Sequence, residues 1–265
     1  MNEFQNYDDL ENYFSDTFVK LGVKDYDFCY IYSDLRFFAS SMKIDIEKDR
    51  FCNSIISPLL NLKKTIIIPT FSYTTKGVFD VEKTPTSLGT LNSWILRQSN
   101  VKRSNHPLFS FGALGPKSSL VENCGKSAFG KNSVHDNLRE NKCCFINIGR
   151  AIEKGNTIIH NIEQSCEAKY RFNKVFKTSV LKKNKLFDSD YSAFVRRQDV
   201  PDHDFKFNFI EAAKIIYSEG IVHEVGDSEL LSNISLYDYD KTRAILVKAF
   251  IKNSSIFLSK PFTQF

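Results

Sequence analysis

The sequence predicts a three-layer α/β fold in which a mixed β-sheet is covered by helices on both faces. One observation is that short apolar strands alternate along the chain with longer segments of helical period. Another is that the strands are apolar throughout, as in "TIII" at residues 65–68, which is typical of strands buried on both faces. The chain has 265 residues, 42% of them hydrophobic, which suffices for one large domain. We therefore predict a single domain over residues 1–265.

The predicted elements follow one another in a regular order. Residues 5–21 have the spacing of a helix, because Leu10, Phe14 and Phe18 lie on one face. Strands are predicted over residues 27–33, 63–73 and 141–149. Further helices are predicted to begin near residue 34, to cover 86–99, and to cover 208–220, where Gly220 ends the pattern. Residues 237–258 are predicted to form a helix followed by a strand or a short helix.

Polar residues follow three of the predicted strands. These segments are "YSDL" at 32–35, "PTFSY" at 69–73 and "IGRAIEKGNTIIH" at 148–160. In α/β folds ligands bind at the loops that follow the strands. We therefore expect the three loops to meet at one edge of the sheet and to form one site.

The composition argues against several classes of protein. No stretch reaches the ~18 consecutive apolar residues of a membrane span. The N-terminus is acidic and polar, unlike a signal peptide. The six cysteines show no CxxC spacing, so we interpret them as reduced, mostly buried thiols and not as a metal cluster. These features predict a cytoplasmic protein that does not associate with membranes.

The net charge of +5 is unevenly distributed, because residues 168–187 carry seven Lys or Arg and no acid. Such a run is usually a solvated face, but a field of one sign also attracts anionic partners. No fingerprint of a nucleic-acid-binding module is present, so we predict no nucleic acid as partner.

The stretch "GNTIIHNIEQ" at 155–164 places His160 three residues before Glu163. On a helix this spacing puts the imidazole and the carboxylate on one face. They can be a catalytic pair, two metal ligands or a buried structural pair. A catalytic zinc needs a third protein ligand, and His135, His203 and His223 lack a convincing spacing. We therefore predict no metal.

A longer ordered set of motifs is more specific than any single pair. In order, the chain contains "TPTSLG" at 84–89, Arg97, "RSNHPLFSFGALG" at 103–115, "NTIIHNIE" at 156–163 and "YR" at 170–171. This order resembles the aminoglycoside 3-N-acetyltransferase family, whose pattern runs roughly T-P-S-x-M-G, R-S-x-H-P-x-x-S-x-x-A-x-G and N-T-T-x-H-x-x-E. The resemblance extends over about residues 10–255. Two positions depart from the pattern: Asp34 replaces a small hydroxyl residue, and Ile158 replaces the second Thr before the histidine.

The resemblance implies transfer of an acyl group from acyl-CoA to an amine, with acetyl-CoA or a short hydroxyacyl-CoA as donor. It implies His160 as the general base and Glu163 as the group that orients it. This agrees with the chemistry, since an amine attacks in its neutral form and histidine is the usual base near neutral pH. An acyl-cysteine is the alternative, but Cys166 points away from His160 at six residues' spacing on a helix. We therefore favour direct transfer.

The resemblance and the loop positions together assign residues to both ligands. Predicted contacts with CoA are Ser33, Leu35, Arg36, Thr84, Ser87, Arg103, Ser104, His106 and Ser110. Predicted contacts with the amine substrate are Thr70, Tyr73, Asn156, Tyr170, Arg171, Lys174 and Lys177. Two of these residues also have a structural alternative. Ser87 can cap the next helix, and His106 can be a hydrogen-bonded loop histidine.

The charge distribution favours a nucleotide-linked amino sugar as the amine, because the basic segment suits a diphosphate better than a polycation. Residues 165–210 are expected to be an insertion on the substrate side. A later group of acids leaves an aminoglycoside open as the alternative: Asp188, Asp190, Asp199, Asp202 and Asp204. The alternative of another class is an inactive CoA-binding relative, which the retention of both His160 and Glu163 disfavours.

Overall fold

The computed structural model of the protein describes residues 3–199, 206–227 and 229–262. The strands are β1 (Phe28–Ser33), β2 (Thr65–Pro69), β3 (Val78–Asp80), β4 (Lys102–Arg103), β5 (Phe111–Leu114), β6 (Cys143–Ile148), β7 (Arg171–Lys182), β8 (Lys185–Arg196), β9 (Val222–Val225) and β10 (Ile234–Asp238). The helices are α1 (Tyr7–Lys20), α2 (Arg36–Ser40), α3 (Lys48–Asn61), α4 (Thr90–Leu96), α5 (Val134–Leu138), α6 (Ile158–Ser165), α7 (Ile210–Ser218) and α8 (Tyr239–Lys252).

The main sheet has seven strands in the order β4-β5-β2-β1-β6-β10-β9. The three central strands β2, β1 and β6 are parallel, and the strands outside them pair antiparallel. The sheet is therefore mixed, as predicted. Because the carboxyl ends of parallel neighbours lie at one edge, the loops after β1, β2 and β6 meet there. The prediction that these three loops share one edge is confirmed.

Helices cover both faces of this sheet, so the prediction of three layers is confirmed. Successive residues of a strand point to opposite faces. Cys29 and Ile31 pack with α1 to α4 in one buried cluster, whereas Phe28 and Tyr30 pack with α5 to α8 in another. Burial on both sides explains why these strands show no alternation of polar and apolar residues.

A second sheet of three strands, in the order β3-β7-β8, carries the basic segment of the sequence. Strands β7 and β8 form a hairpin whose turn residues, Lys183 and Asn184, both have positive φ, as a two-residue type I′ turn requires. Within this hairpin Lys177 lies directly opposite Asp190. The hairpin was not predicted from the sequence, and it brings Asp188 and Asp190, two of the later acids, onto the strand that pairs with the basic one.

Other elements differ from the predictions in extent. Helix α3 was not predicted, because Pro58 interrupts its helical pattern. The segment predicted to begin with a helix at residue 237 begins instead in β10, and α8 starts at Tyr239 after Asp238 caps it. Residues 253–262 contain turns and one bridge from Leu258 to Phe207, with no strand or helix among them. The proposed insertion at 165–210 stays a prediction, and residues 200–205 lie outside the described part of the chain.

Gly149 follows β6 in a left-handed conformation, with φ 62°. A Cβ there would overlap the Asp34 carbonyl oxygen and lie 2.8 Å from that of Leu231. We expect Gly149→Ala to destabilise the fold by about 1 to 3 kcal/mol beyond the cost of the backbone conformation alone. Denaturant unfolding measures this.

Gly220 is the matched control, since its φ is 67° and no atom lies within 4 Å of the place that a Cβ would take. Gly220→Ala should cost only the left-handed backbone penalty, about 1 to 2 kcal/mol. Equal losses for the two variants would contradict a steric role for Gly149.

Candidate active site

Helix α6 begins after the polar edge of the sheet and carries His160 and Glu163 on one face. The Nδ1 atom of His160 lies 2.9 Å from Oε2 of Glu163. The imidazole side chain is 28% exposed, whereas the carboxylate is only 1% exposed. The histidine of the pair is therefore accessible to solvent, whereas the glutamate is not.

The carboxylate of Glu163 has two further partners from the segment after α6. The Tyr170 hydroxyl donates to Oε1 at 2.9 Å, and Arg171 Nε forms an ion pair with Oε2 at 2.8 Å. Burial by itself raises the pKa of Glu163, but the His160 hydrogen bond and the nearby charges of His160 and Arg171 lower it more. The net direction is downward, so Glu163 is an anion at neutral pH.

The ionised carboxylate determines the tautomer of His160. A carboxylate only accepts hydrogen bonds, so Nδ1 of His160 carries the proton and Nε2 keeps a lone pair when the ring is neutral. The ring packs on Phe129, with the two ring centroids 5.0 Å apart. The partly exposed imidazole can therefore accept a proton at Nε2.

A second histidine, His135, lies beneath this pair and was missed as a site residue in the sequence. It is fully buried and its ring also packs against Phe129, at a centroid distance of 5.8 Å. Burial, with smaller contributions from the charges of His160 and Arg243, lowers the pKa of His135 to about 3. Its only sequence signal is Ser133, which caps the short helix α5 that carries it.

Several residues predicted to bind CoA line one groove of about 510 Å³ at the polar edge. Ser33, Leu35 and Arg36 follow β1 on one side of this groove, and Gly89 and Thr90 begin α4 on the other. Asp34 stands where the family pattern has a small hydroxyl residue. Its carboxylate is paired with the guanidinium of Arg36, whose Nε donates to Oδ1 at 2.8 Å.

Other predicted CoA contacts are engaged in internal hydrogen bonds. The buried Arg103 donates to the carbonyl oxygens of Thr70 and Thr84 and to the Ser110 hydroxyl. The Ser104 hydroxyl accepts from the Phe111 amide. These groups fix the loop around "RSNHPLFS", and their contact with a cofactor stays a prediction.

His106 and Ser87 also have partners within the protein. His106 Nδ1 accepts from the amides of Leu108 and Phe109, and Nε2 lies 3.1 Å from the Ser192 carbonyl oxygen. Burial, opposed by this last contact, lowers the pKa of His106 to about 4. The Ser87 hydroxyl donates to the Phe71 carbonyl oxygen instead of capping α4, whose N-cap is Gly89.

The predicted substrate residues fall into distinct groups. Tyr170 and Arg171 hold Glu163, as described, and Thr70 is buried with Ser110. Tyr73 is half exposed beside the polar edge, and Asn156 accepts from the Ile158 amide at the start of α6. Lys174 and Lys177 lie on the hairpin, so the structure does not gather all seven at one point.

A second cleft, of about 520 Å³, lies along the base of the hairpin. It is lined by Phe172, Lys174, Phe176, Val195, Arg196, Arg197, Gln198 and Asp199. The Lys174 ammonium lies 5.4 Å from the centroid of the Phe176 ring, and Arg197 pairs with Asp199 at 2.7 Å. Of the acids that left an aminoglycoside open, Asp202 and Asp204 lie outside the described residues.

The six cysteines are free thiols, four of them buried. Burial raises the pKa of Cys124 to about 12 and that of Cys143 and Cys144 well above the usual range, so these are protonated at neutral pH. Over residues 3–199, 206–227 and 229–262, no three His, Cys, Asp or Glu are grouped to hold a metal ion. The same ranges contain no helix long and apolar enough to cross a bilayer.

The sequence model of the aminoglycoside 3-N-acetyltransferase family matches residues 61–232, which is more than half of the chain. The chain belongs to this family. It is therefore an N-acetyltransferase by family, in agreement with the motifs that predicted it. No curated protein matches the chain in a direct sequence comparison.

Solved structures of two aminoglycoside acetyltransferases and of one further protein share the fold. A mutant of aminoglycoside acetyltransferase AAC(3)-IVa in complex with a gentamicin has a TM-score of 0.74 and 19% identity, over 98% of this chain and 93% of that one. AAC-IIIb with CoASH has a TM-score of 0.74 and 14% identity, over 95% and 98%. The YokD protein from Bacillus subtilis has a TM-score of 0.71 and 18% identity, over 92% and 99%. At such low identity the likeness establishes the fold alone.

The two buried histidines His106 and His135 should make the stability of the fold depend on pH. His106 and His135 are neutral in the folded protein, with pKa values lowered to about 4 and about 3, whereas an unfolded histidine titrates near ~6.5. Their neutral forms therefore favour folding fully above ~6.5, and this contribution is lost as the pH falls toward the folded values. We expect the free energy of unfolding in urea to decrease between about pH 7 and about pH 5. A constant or rising value over that interval would contradict the assignment of both rings as neutral and buried.

Proposed function

We propose that this chain transfers an acyl group from acyl-CoA directly to the amino group of an amino sugar, with His160 as the general base. The observation that carries the proposal is the hydrogen bond from His160 Nδ1 to a buried carboxylate that is itself held by Tyr170 and Arg171. A support of this kind orients an imidazole for proton transfer. It also favours an active enzyme over an inactive CoA-binding relative.

In the proposed reaction the neutral amine attacks the thioester carbonyl carbon, so that a C–N bond forms and the C–S bond breaks. Nε2 of His160 accepts the proton that the nitrogen loses. The same proton then passes to the departing CoA sulfur, which leaves as the thiol. The ionised Glu163 stabilises the imidazolium that exists between the two transfers.

Direct transfer is supported over an acyl-cysteine by the state of the thiols. Cys124, Cys143 and Cys144 are protonated in their buried settings, and a protonated thiol is a poor nucleophile. Cys166 lies at the C-terminal end of α6, where its thiol lies beside the Ser165 hydroxyl and not beside His160.

The groove after β1 is the proposed CoA site. Its lining combines apolar side chains, such as Leu35 and Phe51, with the cations of Arg36 and Lys48 at its rim. A pantetheine arm and adenine suit the first set, and phosphates suit the second. That AAC-IIIb binds CoASH supports the choice of donor within this family.

The amine is proposed to be an aminoglycoside, because the family model and a gentamicin-bound member of the same fold support it. The hairpin cleft favours a second candidate, a nucleotide-linked amino sugar. Phe172 and Phe176 offer aromatic faces for a base, and Lys174 offers an ammonium for phosphate. Asp190 lies directly opposite Lys177 on the paired strand, so its negative charge weakens the case that a basic field selects a diphosphate.

His160→Ala should reduce kcat by about 10² to 10⁴-fold, since it removes the proton acceptor. KM for acetyl-CoA should change little, because the imidazole faces the amine. His223→Ala is the matched control, as His223 is exposed on β9 at the end of the sheet, and it should retain turnover. Lys48→Ala should show the converse pattern, a raised KM for acetyl-CoA with kcat nearly unchanged. Steady-state kinetics with thiol detection measure all three, and near-normal turnover by His160→Ala would refute the proposed base.

The two candidate amines are separated by comparing gentamicin with a nucleotide-linked amino sugar. We expect acetylation of gentamicin, and Lys174→Ala should leave its KM unchanged or lower it, because a lysine repels a polycation. Lys185→Ala, on the same hairpin but outside the cleft, is the control. The opposite result is a wild-type enzyme that prefers the sugar nucleotide, with a KM for it that Lys174→Ala raises and Lys185→Ala does not. That result would identify the nucleotide-linked amino sugar as the substrate.

A further inference from the structure

A closed hydrogen-bond network surrounds Thr157, the residue that precedes α6. The Thr157 hydroxyl oxygen lies 2.6 Å from the Tyr30 hydroxyl, 2.7 Å from the Tyr32 hydroxyl and 2.9 Å from Nε2 of His135. The backbone N–H of Thr157 donates to the Tyr32 hydroxyl at 2.8 Å. Both the side chain and the main chain of this residue are therefore fixed.

The partners determine the position of each proton in the network. The Tyr239 hydroxyl donates to the His135 carbonyl oxygen at 2.9 Å, so it accepts from Nδ1 of the same residue at 2.8 Å. His135 thus carries its proton on Nδ1, and its Nε2 accepts from the Thr157 hydroxyl. The two remaining acceptor positions of that hydroxyl oxygen receive the hydroxyl protons of Tyr30 and Tyr32. The Tyr30 hydroxyl oxygen, 3.0 Å from that of Tyr32, is a second acceptor for the Tyr32 proton.

The network joins α6 to the central strand of the main sheet. Tyr30 and Tyr32 belong to β1, which lies at the centre of the seven-stranded sheet. Thr157 stands one turn before the catalytic residue, and the His160 amide donates to the Thr157 carbonyl oxygen at 3.1 Å. Phe129 packs against the rings of both His135 and His160. A shift at Thr157 is therefore passed directly to the imidazole.

We propose that Thr157, held by Tyr30, Tyr32 and His135, is a positioning residue that sets the location of the His160 imidazole relative to the substrates. The proposal rests on His160 as the base. A misplacement of a catalytic group by about 1 Å can cost ~10²-fold in rate. The network acts through His160 alone, so it should affect kcat and not the binding of acyl-CoA.

The test uses Thr157→Val, which keeps the shape and removes the hydroxyl, and Thr157→Ser, which keeps the hydroxyl. Thr65→Val is the matched control: its buried hydroxyl accepts from the Lys117 amide at the opposite edge of the sheet. We expect Thr157→Val to lower kcat by about 10 to 10²-fold with KM for acetyl-CoA unchanged. Thr157→Ser should restore most of the rate, and Thr65→Val should lose stability but keep kcat.

A double variant distinguishes positioning from a general loss of structure. If Thr157 acts through His160, Thr157→Val should cause no further loss in a His160→Ala background. Additive losses, or a kcat of Thr157→Val equal to that of Thr65→Val, would overturn the inference while leaving the proposed base intact. Retained turnover by His160→Ala alone would instead refute the proposed function.

Discussion

The buried carboxylate of Glu163 is the constraint on which the rest of the site depends. An ionised carboxylate removed from water is costly unless several donors surround it. Here His160 from the same helix and Tyr170 donate hydrogen bonds, and Arg171 at the start of the hairpin supplies an opposite charge. One charge thus fixes the imidazole, its tautomer and the position of the hairpin relative to α6. Loss of any one of these three partners would leave the other two arranged around an under-compensated anion.

The parallel core of the sheet explains where the remaining functional groups lie. Strands β2, β1 and β6 end at one edge, so their loops supply the proposed CoA groove and the start of α6 without long connections. Buried groups behind this edge, such as Arg103 and His106, hold the loops by satisfying main-chain carbonyl and amide groups. A polar residue in a family motif can therefore support the shape of a site without facing its ligand.

The sequence predicted the parts of the fold that are set by local patterns. The apolar strands and the helices α1 and α7 follow from period and burial, and His160 and Glu163 follow from spacing and from the family motif. The hairpin was not predicted, because both of its strands are largely exposed, β7 is rich in lysine, and the pair packs on a separate small core around Phe79 and Val180. The role of His135 was hidden for another reason. Its partners Thr157 and Tyr239 are distant in sequence, so no local spacing reveals them.

The contact between Tyr30 and Thr157 joins residues 127 positions apart in the chain. Strand β1 is synthesised early, yet its neighbour β6 and helix α6, which carries His160, come more than a hundred residues later. Contacts of such long range form slowly, because much chain entropy is lost before they are made. We therefore expect the site to assemble late in folding, and a ribosome-bound fragment that ends before α6 to expose the tyrosine face of β1. Such fragments would be expected to need protection from aggregation during synthesis.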